Sequence, residues 1–284
     1  MNVQVVGIPS HAGALYEGTE LAPKAIREAG LIQKLTDKGF TVKNIGDLIS
    51  ASVLPRHNIA PVRNWPAPRM VWEEIDKRAE DIFQKNSFSI ILGGDCSIEV
   101  GTFHAFQKVF GTDSHLLVLD GHVDLMEPKG EICIGAAGMG LWFLQQKENR
   151  WWKGDAVNSE CISIIGPQEY TITDQALRVI TYEKVNQPNV VAQVQDHLNS
   201  ISSSSILVHL DVDVLHKSIM PAAYSPSEKG LDLTKAVDIL TTILADPRVK
   251  GIEVTEFSAN KDFNQSCANL IVDLLCLLSV KINK

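Results

Sequence analysis

"IILGGDCSIEV", Ile90 to Val100, reads as the end of a buried strand, a tight glycine turn and the opening of a helix. In α/β proteins the chemistry collects at such C-terminal strand mouths. Asp95 and Cys96 stand on this turn. Cys96 therefore has three readings at the outset: a nucleophile, a metal ligand or inert filler.

Working outward, strand-like runs alternate with helical patterns along the whole chain. Upstream, "VQVVGI" leads to one helix at "APKAIREAGLIQKL", with Pro23 suited to its first turn. "TVKNIGDL" follows, and the Pro-rich stretch from Leu54 to Pro68 reads as a long surface loop. A helix from Val71 to Lys85 precedes "FSIILGG". Downstream come a helix after the Cys96 turn and then "HLLVLD", "CISIIG", "LRVIT", "SILVHLDVDV" and "VKGIEVTEF". "ANLIVDLLCLLSV" is too short to span a bilayer, contains Asp273 and reads as a buried closing helix. Short continuous apolar runs imply strands buried on both faces, hence a mostly parallel sheet with helices on each side. With no internal repeat and no composition break, the expectation is one three-layer α/β/α domain over residues 1–284.

Bulk properties narrow the partners. The 284 residues are 45% hydrophobic and 21% charged, ordinary values for a globular protein. The net charge of −8 argues against nucleic acid or an anionic membrane as the partner. "MNVQVVGIPS" has no basic n-region, so no signal peptide is expected. Cys96, Cys133, Cys161, Cys267 and Cys276 are odd in number and widely spaced, which suits reduced thiols and a cytoplasmic location.

Three strand candidates end in carboxylates. "VLDGHVDLMEP" offers Asp120, His122 and Asp124, alternating so that all three can face one way in extended chain. "VHLDVDVLH" offers Asp211 and Asp213, and "GIEVTEFS" offers Glu253 and Glu256. If the strands are neighbours, the carboxylates repel one another unless cations neutralise them. Two divalent ions sharing carboxylates meet that need and favour two-metal hydrolysis. Oxygen-rich ligation with one imidazole leans to Mn²⁺ over Zn²⁺. A solvated strand end is the bland alternative for any one pair.

"GGDCS", "LDGHVD", "LDVDV" and "EVTEFS" resemble, in order and spacing, the motifs of the arginase/agmatinase (ureohydrolase) family, whose turn normally reads GGDHS. "GIPSHAGALYEGTELAPKAIREAGL" also resembles the family's opening strand, loop and helix, so the similarity spans nearly the whole chain. The resemblance implies an arginase-like α/β/α fold with two Mn²⁺ per chain, hydrolysing a guanidino group to urea and an amine. It implies that Asp120 and Asp211 bridge the ions, that Asp124 and Cys96 complete the first site, and that His122 and Asp213 complete the second. Glu256 matches the guanidinium-anchoring glutamate, whereas Glu253 is out of phase and reads as structural. A homo-oligomer is implied as well, since relatives are often trimers or hexamers.

Four departures bear on function. Cys96 replaces a histidine ligand, and a thiolate binds Zn²⁺ or Fe²⁺ more readily than Mn²⁺. Ala137 stands where the family has a histidine assigned as proton shuttle, a loss worth about 10²–10⁴ in rate. Met126, Glu131, Cys133 and Gly135 occupy the substrate-loop positions that hold an amino acid's α-groups, and Thr171 stands for an aspartate that meets the α-amino group. His209 faces the same way as Asp211 and reads either as a satisfied core histidine or as a catalytic group that assists a ligand or replaces the shuttle.

The guanidinium end is thus kept and the amino-acid head end is not. The expected substrate is an arginine side chain within a peptide, as in the peptide arginases that convert arginine residues of a precursor peptide to ornithine. An agmatinase-like or N-hydroxyarginine-type hydrolase of a small guanidino compound is the alternative. A non-catalytic arginase-like binding or regulatory subunit is the reading from another class.

Overall fold

Eight parallel strands form from the predicted apolar runs: β1 (Asn2–Gly7), β2 (Thr41–Asp47), β3 (Phe88–Leu92), β4 (Ser114–Leu119), β5 (Ile162–Ile165), β6 (Arg178–Ile180), β7 (Ser205–Asp211) and β8 (Val249–Thr255). They lie in one sheet in the order β2-β1-β3-β8-β7-β4-β5-β6. The computed structural model describes residues 1–49, 54–147, 151–168 and 177–278.

Successive strand side chains point to opposite faces, so each central strand feeds two cores. Ile90 and Leu92 of β3, with Val208 and Leu210 of β7, enter one core. Five helices close that side: α1 (Ala22–Glu28), α2 (Leu31–Asp37), α8 (Val190–Ser200), α9 (Leu233–Leu244) and α10 (Ser266–Leu275), with the short α7 (Tyr182–Val185). Ile91 and Leu207 enter the other core, under α3 (Ala67–Lys77), α4 (Ala79–Ile82), α5 (Glu99–Phe110) and α6 (Gly140–Gln145). Helices on both faces are why these strands lack polar alternation. The three-layer α/β/α architecture is the expected one. No helix among the described residues is long and apolar enough to cross a membrane.

Element boundaries depart from the sequence reading in three places. The helix expected over "APKAIREAGLIQKL" is two helices, α1 and α2, because Gly30 takes φ 90° between them. The helix expected from Val71 to Lys85 begins four residues earlier at Ala67 and breaks after Lys77. Pro68 is tolerated in its first turn, where backbone N–H groups have no helical partner. The Leu54–Pro68 stretch is not all surface, since Val62 and Asn64 are buried. Asn64 Nδ2 donates to the carbonyls of Ala12 (3.1 Å) and Ala14 (3.3 Å), tying this stretch to the loop after β1.

The positional consequence is simple. β3, β8, β7 and β4 are consecutive in the sheet, so their C-terminal ends bring the turns carrying Cys96, Glu256, Asp211 and Asp120 side by side.

Candidate metal centre and substrate cleft

The turn after β3 is built around close backbone approach. A Cβ on Gly94 would lie 1.9 Å from the Ser10 carbonyl oxygen, so no side chain fits there. Asp95 then caps the helical start: its carboxylate accepts from Ser97 N (3.1 Å) and Gly13 N (3.1 Å). Asp95 is thereby consumed by structure. Cys96 follows with 1% exposure, its N–H donating to Glu256 Oε1 at 2.7 Å. Its sulfur faces Asp211 Oδ2 (3.0 Å), Thr255 Oγ1 (3.2 Å) and His209 Nε2 (3.3 Å).

Alternation along an extended chain was expected to align Asp120, His122 and Asp124, but β4 ends at Leu119. Side-chain-to-backbone hydrogen bonds do the placing instead. Asp120 Oδ1 accepts from His122 N (2.6 Å), which turns the imidazole back so that Nδ1 meets Asp213 Oδ2 at 3.0 Å. Asp211 repeats the device by accepting from Asp213 N at 2.7 Å. Asp124 holds the left-handed conformation, φ 43°, which non-glycine residues adopt at a cost, and so turns its carboxylate to the cleft. Glu256, φ 61°, likewise sits just past the end of β8.

Two donor sets result. Ligand atoms of Asp120, His122 and Asp213 lie within 4.8 Å of one another, as do those of Cys96, Asp120 and His209. Asp120 belongs to both, the position expected of a bridging carboxylate. Asp211 adjoins the second set through the Cys96 sulfur.

The electrostatics of this donor set suit divalent cations. Burial, then Asp213, pushes the Asp120 carboxyl up to about 7. Burial and neighbouring carboxylates push Asp124 and Asp211 well above the usual range, and burial and Asp95 do the same for Glu256. Burial, followed by Asp211 and Glu256, raises the Cys96 thiol. His122 moves the other way from desolvation, up to about 9, because Asp213 accepts its hydrogen bond. The only basic side chain lining the cleft among the described residues is His122. Cations between these oxygens remove the repulsion.

The cleft has a volume of about 640 Å³, and Cys96, His122, Asp124, Asp211, Asp213 and Glu256 line it. Of the substrate-loop positions, Met126 lines it as expected, but Glu131 and Cys133 do not. The reason is local: Ile134 N donates to Pro61 O (3.0 Å) and Arg63 N to Ile134 O (2.8 Å), which pins the end of this loop to the 61–63 segment. Gly135 also lies off the lining, yet a Cβ there would stand 3.1 Å from Arg63 Nη1. Ala137 lines the cleft, and Thr171 falls outside the described residues. His209 is fully buried and lies behind Cys96 rather than in the lining, so it does not reach substrate directly.

Sequence reasoning missed several neighbours. Arg63 is oriented by donating from Nε to Asn58 Oδ1 (2.8 Å). Tyr224 lines the cleft, its hydroxyl accepting from Leu15 N (2.8 Å) and Tyr16 N (2.9 Å). Gln168 lines it with a buried Nε2 that has no partner among the described residues. These three come from loops without a motif. Glu99 is buried beside His209, and its place at the first position of α5, just after the Cys96 turn, was the only available signal.

Comparison with known proteins agrees with this fold. The sequence model of the arginase family matches residues 1–279. The arginase of Staphylococcus aureus strain MRSA252 is 25% identical over 288 residues, covering 96% of this chain and 95% of the relative. Arginase-1 of Bos taurus is 26% identical over 275 residues, covering 90% and 84%. The crystal structure of arginase from Bacillus cereus superposes with a TM-score of 0.85 at 21% identity, covering 99% of each chain. With a family match over nearly its whole length, this chain belongs to the arginase family.

Proposed function

We propose that this protein is a metal-dependent amidinohydrolase that cleaves the guanidino group of an arginine side chain within a peptide, giving urea and an ornithine residue. The observation that carries the reaction class is the convergence of Cys96, Asp120, His122, Asp211 and Asp213 at the floor of a cleft beside Glu256. Asp120 and Asp211 would be shared by two ions, with Asp124 and Cys96 on one side and His122 and Asp213 on the other. Two divalent ions, Mn²⁺ by family resemblance, would neutralise these carboxylates and lower the pKa of water in the cleft.

The chain's own residues do the rest. Glu256 accepts guanidinium N–H bonds, with its position set by the Cys96 N–H it already accepts. Water attacks the guanidinium carbon, and its proton passes to the carboxylate of Asp124. That proton then goes to the side-chain nitrogen as the C–N bond breaks, and the remaining hydroxyl proton passes to the departing amine, so neutral urea and an ammonium group result. With Ala137 in place of a shuttle, water carries this last transfer.

Peptidyl arginine suits the mouth of the cleft. Among the described residues, Arg63 stands beside the lining, near Gly135 and Tyr224, and forms no ion pair with an acidic group that could hold a free α-ammonium. A guanidinium so placed suits a backbone carbonyl. Arg63 also supports a second reading, a small guanidino acid whose carboxylate meets Arg63 and which has no α-ammonium. Mass spectrometry of products from free arginine, a capped Arg-containing peptide, agmatine and a guanidino acid separates these. The proposal expects the peptide to be the best substrate. Efficient turnover of free L-arginine with the peptide untouched overturns it, and absence of bound metal supports the non-catalytic alternative.

A further inference from the structure

His209 is a fully buried histidine at the edge of the centre, its Nε2 lying 3.2 Å from the Thr255 hydroxyl as well as facing the centre. Its Nδ1 meets Glu253 Oε1 at 2.8 Å, and its Nε2 faces the Cys96 sulfur at 3.3 Å. A metal-ligating histidine shows this arrangement, with one ring nitrogen held by a carboxylate and the other directed at the ion. Sulfur and nitrogen bound to one tetrahedral ion, at about 2.3 and 2.1 Å, are about 3.6 Å apart, within a few tenths of an ångström of the spacing seen. Asp120 completes the set, and all three residues are buried.

We infer that His209 and Cys96 together replace the single histidine of the family's turn motif, His209 Nε2 and the Cys96 thiolate ligating the same ion with Asp120. The inference rests on the metal-dependent reading above. A cysteine is shorter than the histidine it replaces, and His209, projecting from β7 beside it, supplies the missing imidazole. The consequence is asymmetry. With Cys96 and His209 added to its carboxylates, that half gains sulfur and nitrogen donors, which favours Zn²⁺, Co²⁺ or Fe²⁺ over Mn²⁺. The half built from Asp120, His122 and Asp213 has mostly oxygen donors and keeps the family's preference.

The same line of atoms, Cys96–His209–Glu253, has the connectivity of a nucleophilic cysteine triad. The surroundings decide against that use. Asp211, Glu256, Asp124 and Asp120 all act on the sulfur. They repel a bare thiolate and attract a cation beside it.

The test is titration of the chelator-stripped full chain with Co²⁺, followed by absorption. One equivalent should give a thiolate-to-cobalt charge-transfer band that is displaced by Zn²⁺ but not by Mn²⁺. Cys96→Ser should abolish the band, and His209→Gln should keep it while weakening Co²⁺ binding at that site by more than about 100-fold, beyond the roughly 10–100-fold that losing a hydrogen-bonded neighbour of a ligand costs. His122→Gln should leave the band's affinity unchanged. A loss in His209→Gln of no more than about 100-fold shows that the imidazole only hydrogen-bonds the sulfur and overturns the inference. If His209→Gln misfolds, X-ray absorption of the wild type with one equivalent of Zn²⁺ decides: sulfur and imidazole shells on the same ion are expected, and sulfur without imidazole overturns it. Binding without any sulfur signature defeats this inference and leaves the metal-dependent reading intact. Failure to bind metal, with hydrolysis surviving chelation and abolished by thiol alkylation, defeats both.

Discussion

Glu256 shows how much one residue can depend on its neighbours. Its backbone is left-handed, its N–H donates to Gly94 O (2.9 Å), and its carboxylate accepts from Cys96 N. The side chain is thus fixed before any substrate arrives. Glu256→Gln keeps the shape and an acceptor for the Cys96 N–H but removes the charge proposed to meet a guanidinium. Charge-assisted hydrogen bonds are worth about 1.5–3 kcal/mol, so kcat/KM should fall about 10- to 100-fold. Metal content by inductively coupled plasma analysis should not change. A variant with full activity would place the guanidinium elsewhere.

At the scale of elements, the strand–turn–helix of β3 and α5 is the unit that matters. Its geometry depends on Gly94 lying against Ser10 and on Asp95 joining the turn to the loop after β1. Gly94→Ala puts a methyl group into the Ser10 carbonyl, so either the turn or the loop must move. Overpacking of this kind costs about 1–3 kcal/mol. Because the same turn carries Cys96, metal affinity should fall along with stability. Urea denaturation and metal titration of this variant check both effects, and a change confined to stability would separate the turn from the centre.

Across the whole molecule, the acidic centre links folding to metal and to pH. In the metal-free protein Asp120 is pushed up to about 7 and Glu99, by burial, to about 8. Between their ordinary values near 4 and these raised ones, the folded state holds protons that the unfolded chain has released. Stability of the metal-free protein therefore falls as pH rises through this window. Bound cations offset the repulsion, so the rise in Tm on adding Mn²⁺ should be larger at pH 8 than at pH 6. Calorimetry with and without chelator measures it, and a metal-induced shift that shrinks with pH would contradict this account. Substrate choice belongs to this scale too, because the cleft mouth is assembled from distant segments. Arg63→Ala should raise KM for a peptidyl substrate with kcat little changed, as expected of a group that binds without taking part in bond breaking.

The strands and their acidic ends were legible in the sequence because each is local. A short apolar run between polar turns can hardly avoid burial on both faces, and a carboxylate just beyond it marks the sheet edge where chemistry collects. The family motifs added the order of those ends, and hence the expected fold. Helix limits were less legible, since Gly30 splits one apolar pattern into two helices with no change in its periodicity. The alternation in "LDGHVD" picked out residues that the structure does bring together, but for another reason: hydrogen bonds that the Asp120 and Asp211 carboxylates accept from backbone N–H groups two residues on, not strand pleat, turn the side chains together. Tertiary structure alone decided the partners of Cys96. His209 and Glu253 meet across the pairing of β7 with β8, and Arg63 reaches Gly135 across a loop bridge. Those contacts depend on which strands become neighbours and on how loops pin one another, and no spacing along a single chain encodes either.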